Sequence, residues 1–188
     1  AGGLNSSAPQ PWIISIDANN GAFPAWNPQP DAPVSSIVVD GSTIYIGGLF
    51  TNVGDEQHKN IAAVDAATGL PTAFNASVGD WVYALARQGD ALYIGGQFTS
   101  VTRQTRNRIA GLDPATGLAT AFDGNANGIV YALQADGTTL YAGGAFTSIG
   151  GQVRSRLAAL DLSTGIASTW NPNPTSTISA LALSGNVL

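Results

Sequence analysis

The sequence repeats itself every 48 residues, and no other feature constrains its fold as strongly. Three segments align without gaps: Ile44-Tyr45-Ile46-Gly47-Gly48-Leu49-Phe50-Thr51, Leu92-Tyr93-Ile94-Gly95-Gly96-Gln97-Phe98-Thr99 and Leu140-Tyr141-Ala142-Gly143-Gly144-Ala145-Phe146-Thr147. A turn follows the same step, as Asp17-Ala18-Asn19-Asn20-Gly21, Asp65-Ala66-Ala67-Thr68-Gly69, Asp113-Pro114-Ala115-Thr116-Gly117 and Asp161-Leu162-Ser163-Thr164-Gly165. So does an aromatic slot, held by Trp26, Phe74, Phe122 and Trp170. A period of this size marks one supersecondary unit that buries its apolar face against its neighbours.

Each unit contains four short apolar runs. In the best-preserved unit these are Val82 to Ala86, Ala91 to Phe98, Ile109 to Leu112 and Leu118 to Phe122, with the polar loop Thr99 to Arg108 between the second and third. Period-two alternation, β-branched and aromatic residues, and turns such as Gln88-Gly89-Asp90 indicate strands joined as hairpins. No stretch keeps a helical period. The expected fold class is all-β: a β-propeller with four-stranded antiparallel blades, in four units of about 48 residues forming one domain over 1–188. A β-helix needs shorter rungs, and a helical solenoid needs helices. The Gly pair in each second run lets a neighbouring backbone or ring approach closely, and Tyr45, Tyr93 and Tyr141 are expected to pack there.

The run Leu92 to Val101 with Arg106 to Gly117 (LYIGGQFTSV…RNRIAGLDPATG) resembles the delta-60-type propeller repeats of bacterial secreted and surface proteins, over nearly the whole chain. More distantly, Ala159 to Gly165 followed by Trp170 is similar to the quinoprotein-like repeat, in which a Trp docks between blades. The cysteine pair of many quinone-dependent enzymes is missing, and no calcium-ligand cluster stands out. The likeness therefore implies a fold, not redox chemistry. No cofactor and no metal site is expected.

Register leaves two ways to complete the ring. Ala1-Gly2-Gly3 takes the second-strand slot, and Leu188 takes the slot of Leu140. Either the strand Ile178 to Leu183 joins the N-terminal runs in one shared blade and closes four blades, or the chain is part of a propeller with six to eight blades. A third arrangement pairs open ends between chains.

Composition narrows function. Charged residues are 10% of the chain, net charge is −5, and there are one Lys and six Arg. This excludes the basic patch that nucleic acid requires. Absent Cys excludes disulfides, thiolate metal sites and cysteine nucleophiles. Absent Met points to a removed leader or an excerpt. No apolar run reaches the roughly 18 residues of a membrane helix.

A residue that recurs in its slot serves the fold, whereas one that breaks the pattern on the loop-rich face is a site candidate. Of 15 aromatics, ten occupy the Tyr, Phe and Trp/Phe slots, and Tyr83 with Tyr131 forms a further matched pair. Trp12, Phe23 and Trp81 remain. Trp12 replaces Asn60, Arg108 and Arg156. Trp81 replaces Pro33, Ile129 and Thr177 at the start of the innermost strand, where a ring plugs the axis or stacks on a sugar or a partner side chain. The repeated Asp17, Asp65, Asp113 and Asp161 accept hydrogen bonds from their turns. The most charged loop holds Asp55, Glu56 and His58, an acid–base set only if the three converge. Arg106 and Arg154 share the slot of His58. The expected ligand-binding residues are thus Trp81, Trp12, Asp55, Glu56, His58, Arg106 and Arg154. The expected function is a secreted or cell-surface, non-catalytic binding or adhesion module for a glycan or protein partner. The alternatives are a self-assembling surface component that pairs with copies of itself, and a hydrolase or lyase.

Overall fold

The computed structural model describes residues 12–188. Every regular element in that range is a β-strand, and the strands come in three equivalent sets. The first set is β1 (Val34–Asp40), β2 (Thr43–Gly48), the short pair β3 (Asn52–Val53) and β4 (Glu56–Gln57), and β5 (Ile61–Asp65). The second is β6 (Val82–Gln88), β7 (Ala91–Gly96), β8 (Ser100–Val101), β9 (Gln104–Thr105) and β10 (Ile109–Leu112). The third is β11 (Val130–Asp136), β12 (Thr139–Gly144), β13 (Ser148–Ile149), β14 (Gln152–Val153) and β15 (Leu157–Asp161). The orders are β1-β2-β5, β6-β7-β10 and β11-β12-β15, all antiparallel, with the Gly-Gly strand in the middle. The innermost strands β1, β6 and β11 pack side by side in that order.

The Gly pair fixes how consecutive sheets meet. A Cβ on Gly95 would lie 2.7 Å from Cγ1 of Val130 in the next sheet, and one on Gly96 would overlap the carbonyl oxygen of Trp81 in its own sheet. The first Gly therefore admits the aliphatic side chains of the following innermost strand, and the second admits a backbone carbonyl. The same holds for Gly47 against Val82 and for Gly143 against Ile178. The tyrosines do not pack on the Gly pair as expected. Tyr45 and Tyr93 share a sheet face with Gly47 and Gly95, but meet Phe74 and Phe122 edge-to-face at 5.6 and 5.0 Å, and donate to the carbonyls of Pro114 and Leu162 in the following turn at 2.9 and 2.8 Å. Core clusters accordingly span neighbouring sheets, with Tyr45, Ile61 and Phe74 joined to Val82, Leu85 and Ile94.

Among the described residues each of the three sheets has three strands. The fourth run is reduced to one bridge per unit, Val64 with Pro71, Leu112 with Ala119 and Leu160 with Ala167. Local side-chain chemistry explains this. Thr72 and Thr120 hydroxyls accept from the N–H groups of Phe74 and Phe122 at 3.3 Å, and Ser168 accepts from Trp170 at 3.2 Å. This hydroxyl turn bends the backbone off the ladder after one residue pair. The polar loops carry more structure than expected, since each holds a two-residue hairpin.

The three sheets do not join into a closed ring, and a fourth set of strands is not formed among the described residues. Ile178 to Leu183 is not a strand, although the Ile178 N–H reaches the Gly144 carbonyl at 3.3 Å. The Asp17 turn is present, with its carboxylate accepting from Asn19 N–H at 2.8 Å, but no strand flanks it. In every formed sheet the Gly-Gly strand is central. By register the central strand of a fourth sheet falls on Leu188 and on residues 1–3, which lie outside the described range.

Candidate functional site on the innermost strands

Each innermost strand carries one β-bulge at the same place. Pairing with the central strand skips between Val34 and Ser36, between Val82 and Ala84, and between Val130 and Ala132. The skipped residues are Ser35, Tyr83 and Tyr131. A bulge re-aims the extra side chain, so three neighbouring strands each direct one residue out of the ladder. These side chains meet. Trp81 stacks on Tyr83 with centroids 5.0 Å apart and planes 24° from parallel. Tyr83 lies 5.2 Å from Tyr131 at a tilt of 53°. The Trp81 indole N–H donates to the Ser35 hydroxyl at 2.9 Å, tying the row to the first sheet. The result is a row from an exposed Ser35 through Trp81 and Tyr83 to Tyr131, the three rings half-buried.

The polar groups of the row are unevenly committed. The indole N–H is spent on Ser35, and the Trp81 backbone N–H donates to the Asp80 carboxylate at 2.7 Å. Among the described residues, neither the Tyr83 nor the Tyr131 hydroxyl makes a hydrogen bond to the protein. Burial, with neighbouring Tyr131 and Asp80, raises the Tyr83 pKa above its ordinary 10.0, so its hydroxyl stays protonated and remains a donor. Such a row offers ring faces and two hydroxyls to a ligand. Sequence reasoning picked out Trp81 but assigned Tyr83 and Tyr131 to the scaffold as a matched pair. The signal lay in the same slot, where Ser35 and Ser179 break the pattern.

The other candidates lie elsewhere. Trp12 is 52% exposed. Its slot has a mechanical role in the formed sets. Asn60, Arg108 and Arg156 are left-handed, with φ of 65°, 63° and 64°. Their side chains donate to the carbonyls of Val78, Ala126 and Pro174 at 2.9, 3.0 and 3.1 Å, stitching one loop to the next. Arg106 and Arg154 are also stitched inward. Arg106 donates to the Thr105 and Thr120 carbonyls at 2.9 and 3.0 Å, and Arg154 to the Val153 and Ser168 carbonyls at 2.7 and 2.5 Å. Asp55 and Glu56 are exposed, whereas His58 is buried, with Nε2 3.5 Å from Glu56 Oε2. Asp55 makes no hydrogen bond to either, so the structure brings together two of these three residues. Among the described residues none of these groups makes a hydrogen bond to the aromatic row.

The Asp turns are built from local hydrogen bonds. The Asp113 carboxylate accepts from Ala115 and Thr116 N–H groups at 3.0 and 2.7 Å, with equivalents at Asp65 and Asp161. Hydrogen bonds from Ser163 and Thr164 hold the Asp161 carboxyl at about 2. Among the described residues no group of three or more His, Asp or Glu side chains lies close enough together to hold a metal ion.

A family described as "Domain of unknown function (DUF5122) beta-propeller" matches residues 134–162, from within β11 to the turn after β15. The repeat is of β-propeller type. Among solved structures the chain is similar to the computationally designed Ika4 protein, with a TM-score of 0.58 and 14% identity over 95% of this chain and 89% of that one. It also aligns with the computationally designed Ika8 protein, with a TM-score of 0.45 and 13% identity over 85% of this chain and 67% of that one. No curated protein matches. At such identities the likeness to Ika4 concerns fold alone. Among the described residues no helix is long and apolar enough to cross a membrane.

Proposed function

We propose that this chain is a non-catalytic recognition module, secreted or displayed at a cell surface, that binds a glycan through the aromatic row on its innermost strands. The observation that carries this reading is the set of three aligned bulges. They place Ser35, Tyr83 and Tyr131 side by side, with Trp81 stacked into the row. Ring faces match the apolar face of a pyranose, and the free tyrosine hydroxyls supply hydrogen bonds at its edge. In this reading the chain is one domain of four propeller units of about 48 residues, of the delta-60 type. It is closed by its own ends or continued by further blades.

A glycan array with the intact protein tests the proposal. Binding is expected to one class of neutral saccharide. Tyr131→Ser installs the residue that the same bulge carries at Ser35, so the fold is retained while affinity falls about tenfold or more, consistent with loss of one stacked ring. Trp81→Ala should weaken binding as well. Absence of any glycan signal, or a signal unchanged in both variants, would rule the row out as a saccharide site.

A second reading, self-assembly, is favoured by one observation. Ile37 on β1 is 50% exposed, whereas its counterparts Leu85 and Leu133 are 7% and 9% exposed. The first sheet thus presents an apolar face of the kind that the other two bury against a preceding Gly-Gly strand.

A further inference from the structure

The second and third sets fill one socket with their own cation, and the first set does not. Arg106 and Arg154 each reach two carbonyls: that of the preceding residue, and that of the hydroxyl residue in the fourth run, Thr120 or Ser168. In the first set the Arg slot holds His58, and the corresponding carbonyls belong to Gln57 and Thr72. The shorter imidazole reaches neither. What remains is a cavity of about 360 Å³ lined by Glu56, Gln57, His58, Thr72, Phe74 and Asn75.

Two further features mark this cavity. His58 is only 4% exposed, yet neither of its ring nitrogens has a hydrogen-bond partner. Burying polar atoms unpaired costs free energy unless something satisfies them. Secondly, Glu56 stands where the sister sets carry Gln104 and Gln152. The first set has therefore lost the resident cation and gained a carboxylate at the rim of the same socket. Lys59 is the nearby positive charge; its counterparts are Asn107 and Ser155, and Asp55 lies on the same loop.

We propose that this cavity is a guanidinium-binding site that accepts a planar guanidino group where Arg106 and Arg154 place their own. The carbonyls of Gln57 and Thr72 accept its N–H donors, Glu56 supplies the counter-charge, and a His58 ring nitrogen takes a further donor. A planar five-donor fork suits several fixed acceptors better than a spherical ammonium does. The site is separate from the aromatic row and stands or falls independently of glycan binding.

The chain has a single His, so the ring C–H signals of His58 in a proton NMR spectrum report on the cavity without assignment. Titration with methylguanidinium is expected to shift them saturably in the millimolar range, while tetramethylammonium, which has no N–H donors, leaves them in place. Glu56→Gln, at an exposed position, should weaken binding about fivefold, the upper range for a solvent-screened ion pair. Lys59→Ala should strengthen it. His58→Arg fills the socket as in the sister sets and should abolish ligand-observed saturation transfer from methylguanidinium. An arginine tripeptide with blocked ends, run in parallel, separates the sources. Tighter binding than methylguanidinium assigns the side chain of a protein partner, and weaker binding assigns a free guanidino compound. The proposal is overturned if the His58 signals do not saturate, if tetramethylammonium or inorganic phosphate shifts them equally, or if Glu56→Gln and His58→Arg bind like the parent.

Discussion

Asp31 shows how far the repeat explains single residues. Burial pushes its carboxyl up, but hydrogen bonds from the Thr51 hydroxyl and N–H, and from Asn52, outweigh this and bring it from 3.8 to about 2. The Thr51 N–H and hydroxyl donate at 2.8 and 2.6 Å, and the Asn52 amide at 2.8 Å. In the third set Asn127 makes the same stitch, accepting from Thr147 and Ser148 N–H groups at 2.8 and 2.9 Å. A depressed folded-state pKa stabilises the protein above the unfolded value and ceases to do so as pH falls towards the folded one. The Asp31 contribution is therefore complete above about pH 4 and lost between about pH 4 and 2. Asp31→Asn should keep the stitch, as Asn127 does, and lose part of the pH dependence. Thermal midpoints of parent and variant between pH 6 and 2 check this: the parent should fall more steeply below pH 4, and parallel curves would contradict it. None of this was legible in sequence, where Asp31 reads as a non-recurring acid. Its partners lie 20 residues away and only the fold brings them together. His58 was legible as an occupant of the Arg slot. Where that Arg reaches was not, because Thr120 and Ser168 are 14 residues further on.

At the level of elements, features written in neighbouring residues were legible and features written across strands were not. The third strand of the second set falls on Ile109–Leu112 as its apolar run predicts, and the Asp turns close on their own carboxylates. The run Leu118 to Phe122 has the composition of a strand, but the Thr120 hydroxyl ends its pairing. The bulges leave no mark in the alternation of Val82-Tyr83-Ala84, because an extra residue is defined only against the partner strand. The tyrosine contacts between sheets are of the same long-range kind, and they make a test with an internal control. Tyr45 and Tyr93 each donate to a carbonyl 69 residues away. Tyr141 meets Trp170 edge-to-face at 5.6 Å but makes no such bond among the described residues. Tyr45→Phe and Tyr93→Phe should each cost about 1 kcal/mol, and the double variant about their sum, since the two bonds are independent. Tyr141→Phe should be close to neutral. Urea midpoints with an unchanged slope would report this directly, and an equal cost at Tyr141 would show that the hydroxyl bonds are not what couples the sheets.

For the molecule as a whole, the repeat has a polarity with consequences at its first sheet. Each Gly-Gly strand receives the innermost strand of the next sheet: Gly47 meets Val82 and Leu85, Gly95 meets Val130 and Leu133, and Gly143 meets Ile178 and Leu181. Val34 and Ile37 hold the same slots on β1. Val39 on that strand is 67% exposed, and Ile14, Trp26, Ile37 and Ile44 line an apolar groove of about 350 Å³. Covering a large aliphatic side chain is worth about 1.5–3 kcal/mol. With a net charge of only −5 over 188 residues, repulsion between copies is weak. A face of this size and register calls for a Gly-Gly strand, supplied by the chain itself or by another copy. Ile37→Lys distinguishes these sources. If the strand comes from a second copy, sedimentation equilibrium of the parent should show mass rising with concentration, and the variant should stay monomeric with its thermal midpoint nearly unchanged. If it comes from within the chain, the parent is monomeric at all concentrations and the variant loses stability, because a charge then sits at a buried interface. A monomeric parent with an unaffected variant would mean that neither covers the face, and would remove the support for self-assembly.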